Sequence, residues 1–341
     1  MRAASLLGLS FAALMVSNAS WADAPPPSRR VAEPVRSWGW EVGGRYWYST
    51  GETNWNHNGN AVAPALGNPA SVLTYDGLDA HSGEVFFRGD HLTGFFVKGY
   101  AGIGKVVDGS LDDEDYFVGQ VKFSDTYSEQ RDGRLGYLSA DIGFTFYDST
   151  RVYRRAGLKD APREVHGLRL GAFVGYHHWN EKVHAFGVRC NPDDVGGAFC
   201  GPPGAVVVPF TTNVISNEVE WNSLRIGLSG EARLTRQLKI VGEVAWVPYA
   251  RMKNEDSHHL RADLGPVPNI LHDGSGSGVM LEGVITYDLT RQFSIGVGGR
   301  YWHLESDGSV VFGPTTINTR APLNKLESDR YGAFVQGSLK F

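Results

Sequence analysis

The stretch QFSIGVGGRYWHL, residues 292–304, decides the fold of this chain. Its apolar residues Phe293, Ile295 and Val297 alternate with serine and glycine. Successive side chains of an extended strand point to opposite faces, so one face of this strand is apolar and the other is not. Its length suits a tilted strand that crosses a bilayer, which needs about 9–11 residues.

The same pattern recurs in ten segments, joined alternately by short and long connections. The predicted strands cover residues 38–49, 79–89, 93–105, 135–147, 166–180, 216–234, 237–247, 278–288, 292–304 and 330–341. The connections are tight turns at 90–92, 235–236 and 289–291, a longer one on the same side at 148–165, and long polar segments at 50–78, 106–134, 181–215, 248–277 and 305–329. Short turns on one side, long loops on the other and an even number of strands are typical of outer-membrane barrels. The sequence therefore predicts an all-β fold, a ten-stranded antiparallel transmembrane β-barrel with long extracellular loops, over residues 38–341.

The face opposite the apolar one predicts what fills the barrel. It carries charges of both signs, at Glu41, Arg45, Glu84, Arg88, Lys98, Asp141, Arg169, Arg225, Lys239, Glu243, Glu282, Arg300 and Arg330. Unpaired charges would be costly inside, so we expect ion pairs. Because ten strands enclose a narrow lumen, a general diffusion pore is not expected. A soluble β-sandwich, the alternative fold, does not account for strands this long with connections this uneven.

The tryptophans favour a position at the membrane interface, because most lie near the ends of predicted strands. They are Trp40, Trp47, Trp55, Trp179, Trp246 and Trp302. Trp55 lies near an outer loop and is a weak candidate for a substrate contact.

The N-terminus is predicted to be a secretory signal over residues 1–22. Arg2 precedes an apolar run at 3–16, and Ser20 and Ala22 supply small residues for cleavage. A proline-rich linker follows at 23–37.

Composition and cysteines limit the partners. Charged residues make up 20% of the 341-residue chain and the formal net charge is −5, so no nucleic-acid partner is indicated. The two cysteines, Cys190 and Cys200, lie in one predicted loop, and an oxidising compartment would allow them to pair. No metal site is predicted, since no other ligand stands at a suitable spacing beside them.

Two pairs of polar residues fall in predicted outer segments. Asp256 and His258 lie two positions apart, as do Asp113 and Asp115, so each pair shares a face in extended backbone. In a ten-strand ring the third and seventh strands stand nearly opposite, which would set the two pairs across a cleft. A carboxylate beside an imidazole raises its basicity, and a histidine facing carboxylates is able to activate water for attack on a peptide carbonyl.

Plainer interpretations of these residues stay open. Asp256 and His258 also fit a polar loop, and the acidic run Asp112-Asp113-Glu114-Asp115 fits a solvated loop or a weak calcium site. Moreover, the inward-facing residues of the third predicted strand have even numbers, whereas Asp113 and Asp115 have odd ones. In the seventh strand the inward-facing residues have odd numbers, whereas Asp256 and His258 have even ones. A bulge is therefore expected before each pair, near Gly109 and Pro248.

With these residues the chain resembles the omptins, ten-stranded outer-membrane proteases. The resemblance covers residues 38–341 and includes FFVKGYAGIG at 95–104, GLRLGAFVGY at 167–176 and LRIGLSGEARL at 224–234. It implies that Asp113 and Asp115 correspond to the paired catalytic aspartates, His258 to the catalytic histidine and Asp256 to its support. It also implies endopeptidase activity on extracellular polypeptides, and lipopolysaccharide as a partner.

The chain departs from the omptin pattern at the substrate-binding positions. Asn254 stands where an acidic residue would help to bind a basic side chain, and the other acidic position has only Glu52 nearby. Tyr116 replaces a tryptophan after the paired aspartates, and the cysteine-bearing segment is unlike the family. Cleavage between basic residues is therefore not expected.

These interpretations lead to one preferred function and two alternatives. We expect a monomeric protease of a Gram-negative outer membrane, with its active face extracellular and no cofactor apart from a requirement for lipopolysaccharide. The alternatives are a non-enzymatic barrel for adhesion or envelope contact, and a narrow channel.

Overall fold

The computed structural model describes residues 37–149 and 167–341. The predicted signal peptide at 1–22, all but the last residue of the predicted linker at 23–37 and most of the connection at 148–165 lie outside the described residues. Within the described part of the chain, no helix is long and apolar enough to cross a membrane.

Ten antiparallel strands close into a barrel. They are β1 Trp38–His57, β2 Ser71–His91, β3 Phe95–Phe117, β4 Val121–Asp148, β5 Gly167–Cys190, β6 Val206–Arg233, β7 Leu238–His258, β8 Ile270–Asp288, β9 Phe293–Phe312 and β10 Thr319–Lys340. Three short 3-10 turns, Gly59–Ala61, Pro64–Leu66 and Ala262–Leu264, lie in two of the connections. Each strand pairs with its sequence neighbours, and β1 pairs with β10. The predicted fold class is confirmed.

The strands are much longer than the sequence pattern predicted. β8 has 19 residues and β4 has 28, about two to three times what a bilayer crossing needs. The additional length comes from the predicted outer loops, most of whose residues continue the strands. Of the loop predicted at 106–134, only residues 118–120 lie between β3 and β4. The predicted loop positions of the acidic run and of the Asp–His pair are therefore wrong, because both lie on strands.

The apolar side chains of the turn-side half point outward. Val85 and Ile103 are 68% and 78% exposed, which a water-soluble sandwich would not tolerate along a continuous band. The same outward face carries Ile142, Ile226, Leu228, Val244, Val297 and Val335. This arrangement is that of a transmembrane barrel, with lipid as the solvent of its outer wall.

Ion pairs fill the lumen of the turn-side half. The Arg300 guanidinium lies 2.7 Å from a Glu84 oxygen and 2.6 Å from a Glu282 oxygen, and Arg45 bridges the same two carboxylates. Lys98 is paired with Glu243. Every cation named here has a carboxylate partner, which offsets the cost of removing it from water.

A layer of aromatic rings closes the lumen above the ion pairs. Trp302 lies at its centre, with ring centroids 5.0 Å from Trp47, 5.2 Å from Tyr137 and 5.5 Å from Trp179. Trp47, Trp55, Trp179 and Trp302 are all almost fully buried. Their predicted place at the membrane interface is wrong, because their strand positions face inward; Trp246 does face outward.

Candidate active site

A bulge in β7 turns the Asp–His pair into the barrel. The pairing of β7 with β8 shifts between Val247 and Ala250, so that Pro248 and Tyr249 lie opposite one residue of β8. Proline has no N–H to donate to the ladder, which makes it a natural bulge residue. Beyond the bulge Ala250, Met252, Asn254 and Asp256 are all buried. The bulge predicted near Pro248 is present.

A second irregularity does the same for the paired aspartates on β3. The register between β2 and β3 shifts between Asp76 and Asp79, so that residues 77 and 78 lie opposite Gly109, whose φ of +146° favours glycine. A Cβ at Gly109 would also lie 2.9 Å from the carbonyl oxygen of Asp76. Before Gly109 the buried position is Val106, and after it Leu111, so the parity changes between them. Asp113 and Asp115 follow on the face of Leu111.

The Asp256–His258 pair is held from two sides. His258 Nε2 lies 3.5 Å from Asp256 Oδ2, and Asp256 is fully buried. The Tyr75 hydroxyl of β2 donates to the same carboxylate oxygen at 3.3 Å. Asn269 accepts from the His258 backbone N–H at 2.9 Å and donates to its carbonyl oxygen at 3.1 Å. Together these contacts fix the position of the imidazole at the mouth.

Tyr75 and Asn269 were not predicted from the sequence. Tyr75 contacts Asp256 across 181 positions of the chain, and Asn269 contacts His258 across the connection between β7 and β8. Tyr75 belongs to an alternating segment that differs in no visible way from other strands. Neither residue carries a motif, so only the register of the assembled barrel brings them to His258.

The titratable groups of the two walls influence one another. Burial raises the pKa of Asp113, the neighbouring Asp115 raises it further, and His258 opposes the shift. Burial likewise raises the pKa of Asp115, against a hydrogen bond from Ser71. Burial disfavours the charged form of His258, but Asp256 and Asp113 together outweigh it and the pKa of His258 is raised. A set of carboxylates and one imidazole with shifted pKa values in a shared cleft is typical of proton-transfer sites.

The other predicted site residues lie in different places. Asn254 shares the inward face with Asp256 and donates to His272 Nδ1 at 3.0 Å. Glu52 lies exposed on the outer face of β1, because the inward positions there are Thr53 and Trp55. The structure therefore does not bring Glu52 to the mouth.

Tyr116 also lies away from the histidine. Its hydroxyl donates to Glu114 at 2.8 Å, and Glu114 alternates with the inward-facing aspartates of β3. Cys190 and Cys200 form a disulfide that closes the segment between β5 and β6.

Metal-ligand geometry among the described residues occurs away from the mouth. His303, Glu327 and Asp329 bring one ligand atom each to within 4.8 Å of the others. They lie on the outer wall, since the neighbouring Trp302 and Leu304 face the lumen.

Comparisons with known proteins support the fold. The Escherichia coli outer membrane protease OmpT superposes with a TM-score of 0.62 at 13% identity, covering 89% of this chain and 96% of that one. OprG of Pseudomonas aeruginosa and the translocator domain of the autotransporter NalP of Neisseria meningitidis both reach only 0.34 at 9% identity; each match covers 89% of this chain, with 95% of OprG and 88% of the NalP domain.

Sequence comparisons add no family. No protein-family model matches the chain, and no curated protein matches it. At 13% identity the likeness to OmpT shows the fold alone: a ten-stranded barrel of the outer-membrane type.

Proposed function

We propose that this barrel is an outer-membrane endopeptidase of the omptin type, which cleaves extracellular polypeptides with a water molecule activated at the mouth. The observation that carries the proposal is the buried Asp256–His258 pair opposite Asp113 and Asp115, reached only because both strands carry a bulge. An ordinary polar loop has no need of two parity changes that bring charged groups inward. A likeness in fold to a protease supports the same conclusion.

The chemistry follows from the positions of the protons. His258 Nε2 is the nitrogen beside Asp256, so Nδ1 remains to take a proton from water as the oxygen attacks the peptide carbonyl carbon. Asp256 stabilises the imidazolium that forms. The Asp113–Asp115 pair, with raised pKa values, holds a proton that is able to hydrogen-bond to the developing oxyanion. The proton on His258 then passes to the leaving nitrogen as the C–N bond breaks.

The interior argues against the channel alternative. The aromatic layer around Trp302 and the ion pairs around Arg300 occupy the lumen below the mouth. A cavity of about 500 Å³ lies on the turn side of the network and is lined in part by Arg45, Lys98 and Glu282. Passage through the barrel would require both layers to move.

Cleavage of a mixed peptide library by refolded protein, with and without lipopolysaccharide, tests the proposal. We expect cleavage that depends on lipopolysaccharide and falls at least about 10³-fold in His258→Ala. His259→Ala is the matched control, because His259 is the adjacent histidine and bonds to Ser216 rather than Asp256; it should keep activity. A folded parent that cleaves nothing would point to an adhesion or envelope-contact barrel.

A further inference from the structure

A group of uncharged residues lines the lumen directly beside the catalytic pair. It consists of Trp55 on β1, His57 on β1, Asn254 on β7 and His272 on β8, and we call it the neutral cluster. Asn254 lies two residues before Asp256 on the same face, and the rings of Trp55 and His272 meet edge to face at 4.4 Å. All four side chains are more than nine-tenths buried.

The hydrogen bonds of the neutral cluster are incomplete in a specific way. Asn254 Nδ2 only donates, so His272 Nδ1 accepts and its Nε2 carries the proton. That Nε2 donor and the Asn254 Oδ1 acceptor are both buried without a protein partner, and Trp55 Nε1 and His57 Nδ1 of the same cluster are also buried without one. The inverse assignment of the Asn254 amide exchanges the roles of Asn254 and His272 and again leaves these two residues with one donor and one acceptor. Buried polar groups are nearly always paired, so the unpaired atoms of Asn254 and His272 indicate a ligand that offers both a donor and an acceptor.

The neutral cluster has no charge to offer that ligand. Burial lowers the pKa of His57 and of His272 to about 4, so both imidazoles are uncharged at neutral pH. No carboxylate belongs to the cluster. Asp256, two positions along β7 from Asn254, has its Oδ2 atom engaged with Tyr75 and His258, and its Oδ1 atom is buried without a protein partner.

We propose that the neutral cluster binds the carboxamide of an asparagine or glutamine next to the scissile bond of the polypeptide substrate. This rests on the proposed function and adds its selectivity. A carboxamide oxygen accepts from His272 Nε2 while its NH₂ group donates to Asn254 Oδ1, and the Trp55 ring packs against the methylenes. The match completes both hydrogen bonds with no charge brought into the site.

Other side chains fit the neutral cluster less well. Lysine and arginine only donate, so they would leave the buried His272 Nε2 donor unpaired and would bring a positive charge into a cluster that contains no carboxylate. Glutamate only accepts, leaves Asn254 Oδ1 unpaired, and places a second negative charge beside Asp256. Leucine leaves both buried polar atoms unpaired, and sites built for hydrogen bonding discriminate strongly against such analogues.

The test uses one peptide scaffold in which a single residue is glutamine, leucine, glutamate or lysine, scanned through every position, with cleaved bonds located by mass spectrometry. We expect kcat/KM for bonds flanked by glutamine or asparagine to exceed that for the other three by at least about tenfold. Asn254→Asp should reverse the preference towards lysine, since it supplies the missing carboxylate. Asn60→Asp, at an exposed asparagine of the first outer connection, is the matched control and should leave the preference unchanged.

Three results would overturn the inference. Cleavage by the parent chiefly at lysine or arginine, or without preference, would refute the carboxamide site and leave the protease intact. An unchanged preference in Asn254→Asp would show that the neutral cluster does not contact the selected side chain. No cleavage of any peptide by the folded parent would refute the inference together with the proposed function.

Discussion

In the turn-side half of the lumen, Arg300 makes ion pairs with Glu84 and Glu282, whereas at the mouth Asn254 and His272 each keep a buried polar atom without a protein partner. Strand pairing in the turn-side half is regular apart from one register shift between Thr145 and Tyr147, and alternation separates the lipid face from the lumen. The outer half begins with a bulge in β7 and an irregularity around Gly109. The turn-side half therefore pairs the charges of its own lumen, whereas the mouth holds polar groups in place for a partner.

The largest effect on activity is expected from removing the bulge of β7. Deleting Pro248 removes the extra residue opposite β8, and a slip of one residue turns each following side chain to the other face. Asn254 and Asp256 then leave the lumen, and we expect cleavage to fall at least about 10³-fold. Peptide cleavage measures the effect. Pro248→Ala keeps the residue count and should retain most of the activity; equal activity of the deletion and the parent would contradict the role of the bulge.

Loss of an ion pair in the turn-side half of the lumen should reduce stability rather than activity. Arg300→Met leaves the Glu84 and Glu282 carboxylates without one shared partner, and breaking a buried ion pair costs about 3–5 kcal/mol. We expect a lower urea midpoint in detergent, with cleavage by the folded fraction retained. The control is Lys105→Met, which breaks an exposed pair with Asp132 that should contribute less than about 1 kcal/mol. Equal midpoints for the two variants would show that the lumen network does not stabilise the barrel.

Sequence pattern was sufficient for the turn-side half and only partly for the mouth. Alternation at Phe293, Ile295 and Val297 reports a lipid-facing wall directly, because lipid imposes one rule on every outward position. At the mouth, Asp113 and Asp256 fall on the outward-facing positions of the predicted alternation, and this disagreement correctly predicted the two bulges. Above the membrane lipid no longer imposes apolar outward positions, and the inward face mixes apolar residues such as Leu111 and Met252 with polar ones such as Asn254. The alternation therefore fades, and the sequence predicts loops where the strands continue.

The remaining errors share one physical cause: sequence does not show which residues meet across the lumen. Trp47 and Trp302 lie near predicted strand ends, yet they pack against each other inside. Tyr75 reaches Asp256 from a strand nearly opposite in the ring. Glu52 was linked to the site by nearness in sequence, and its parity on β1 places it on the outer wall.

The smallest effect is expected at the support of the histidine. Asp256→Asn keeps the shape of the side chain but removes the charge beside His258 Nε2, and we expect cleavage to fall about 10²-fold. The base form of His258 is neutral, and its raised pKa extends the protonated form to higher pH, so activity in the parent falls on the acid side of that raised value. Without the carboxylate the pKa of His258 falls, and the acid limb of the kcat/KM profile should move to lower pH. An acid limb that does not move, in a variant with reduced activity, would mean that His258 is not the base whose protonation stops the reaction.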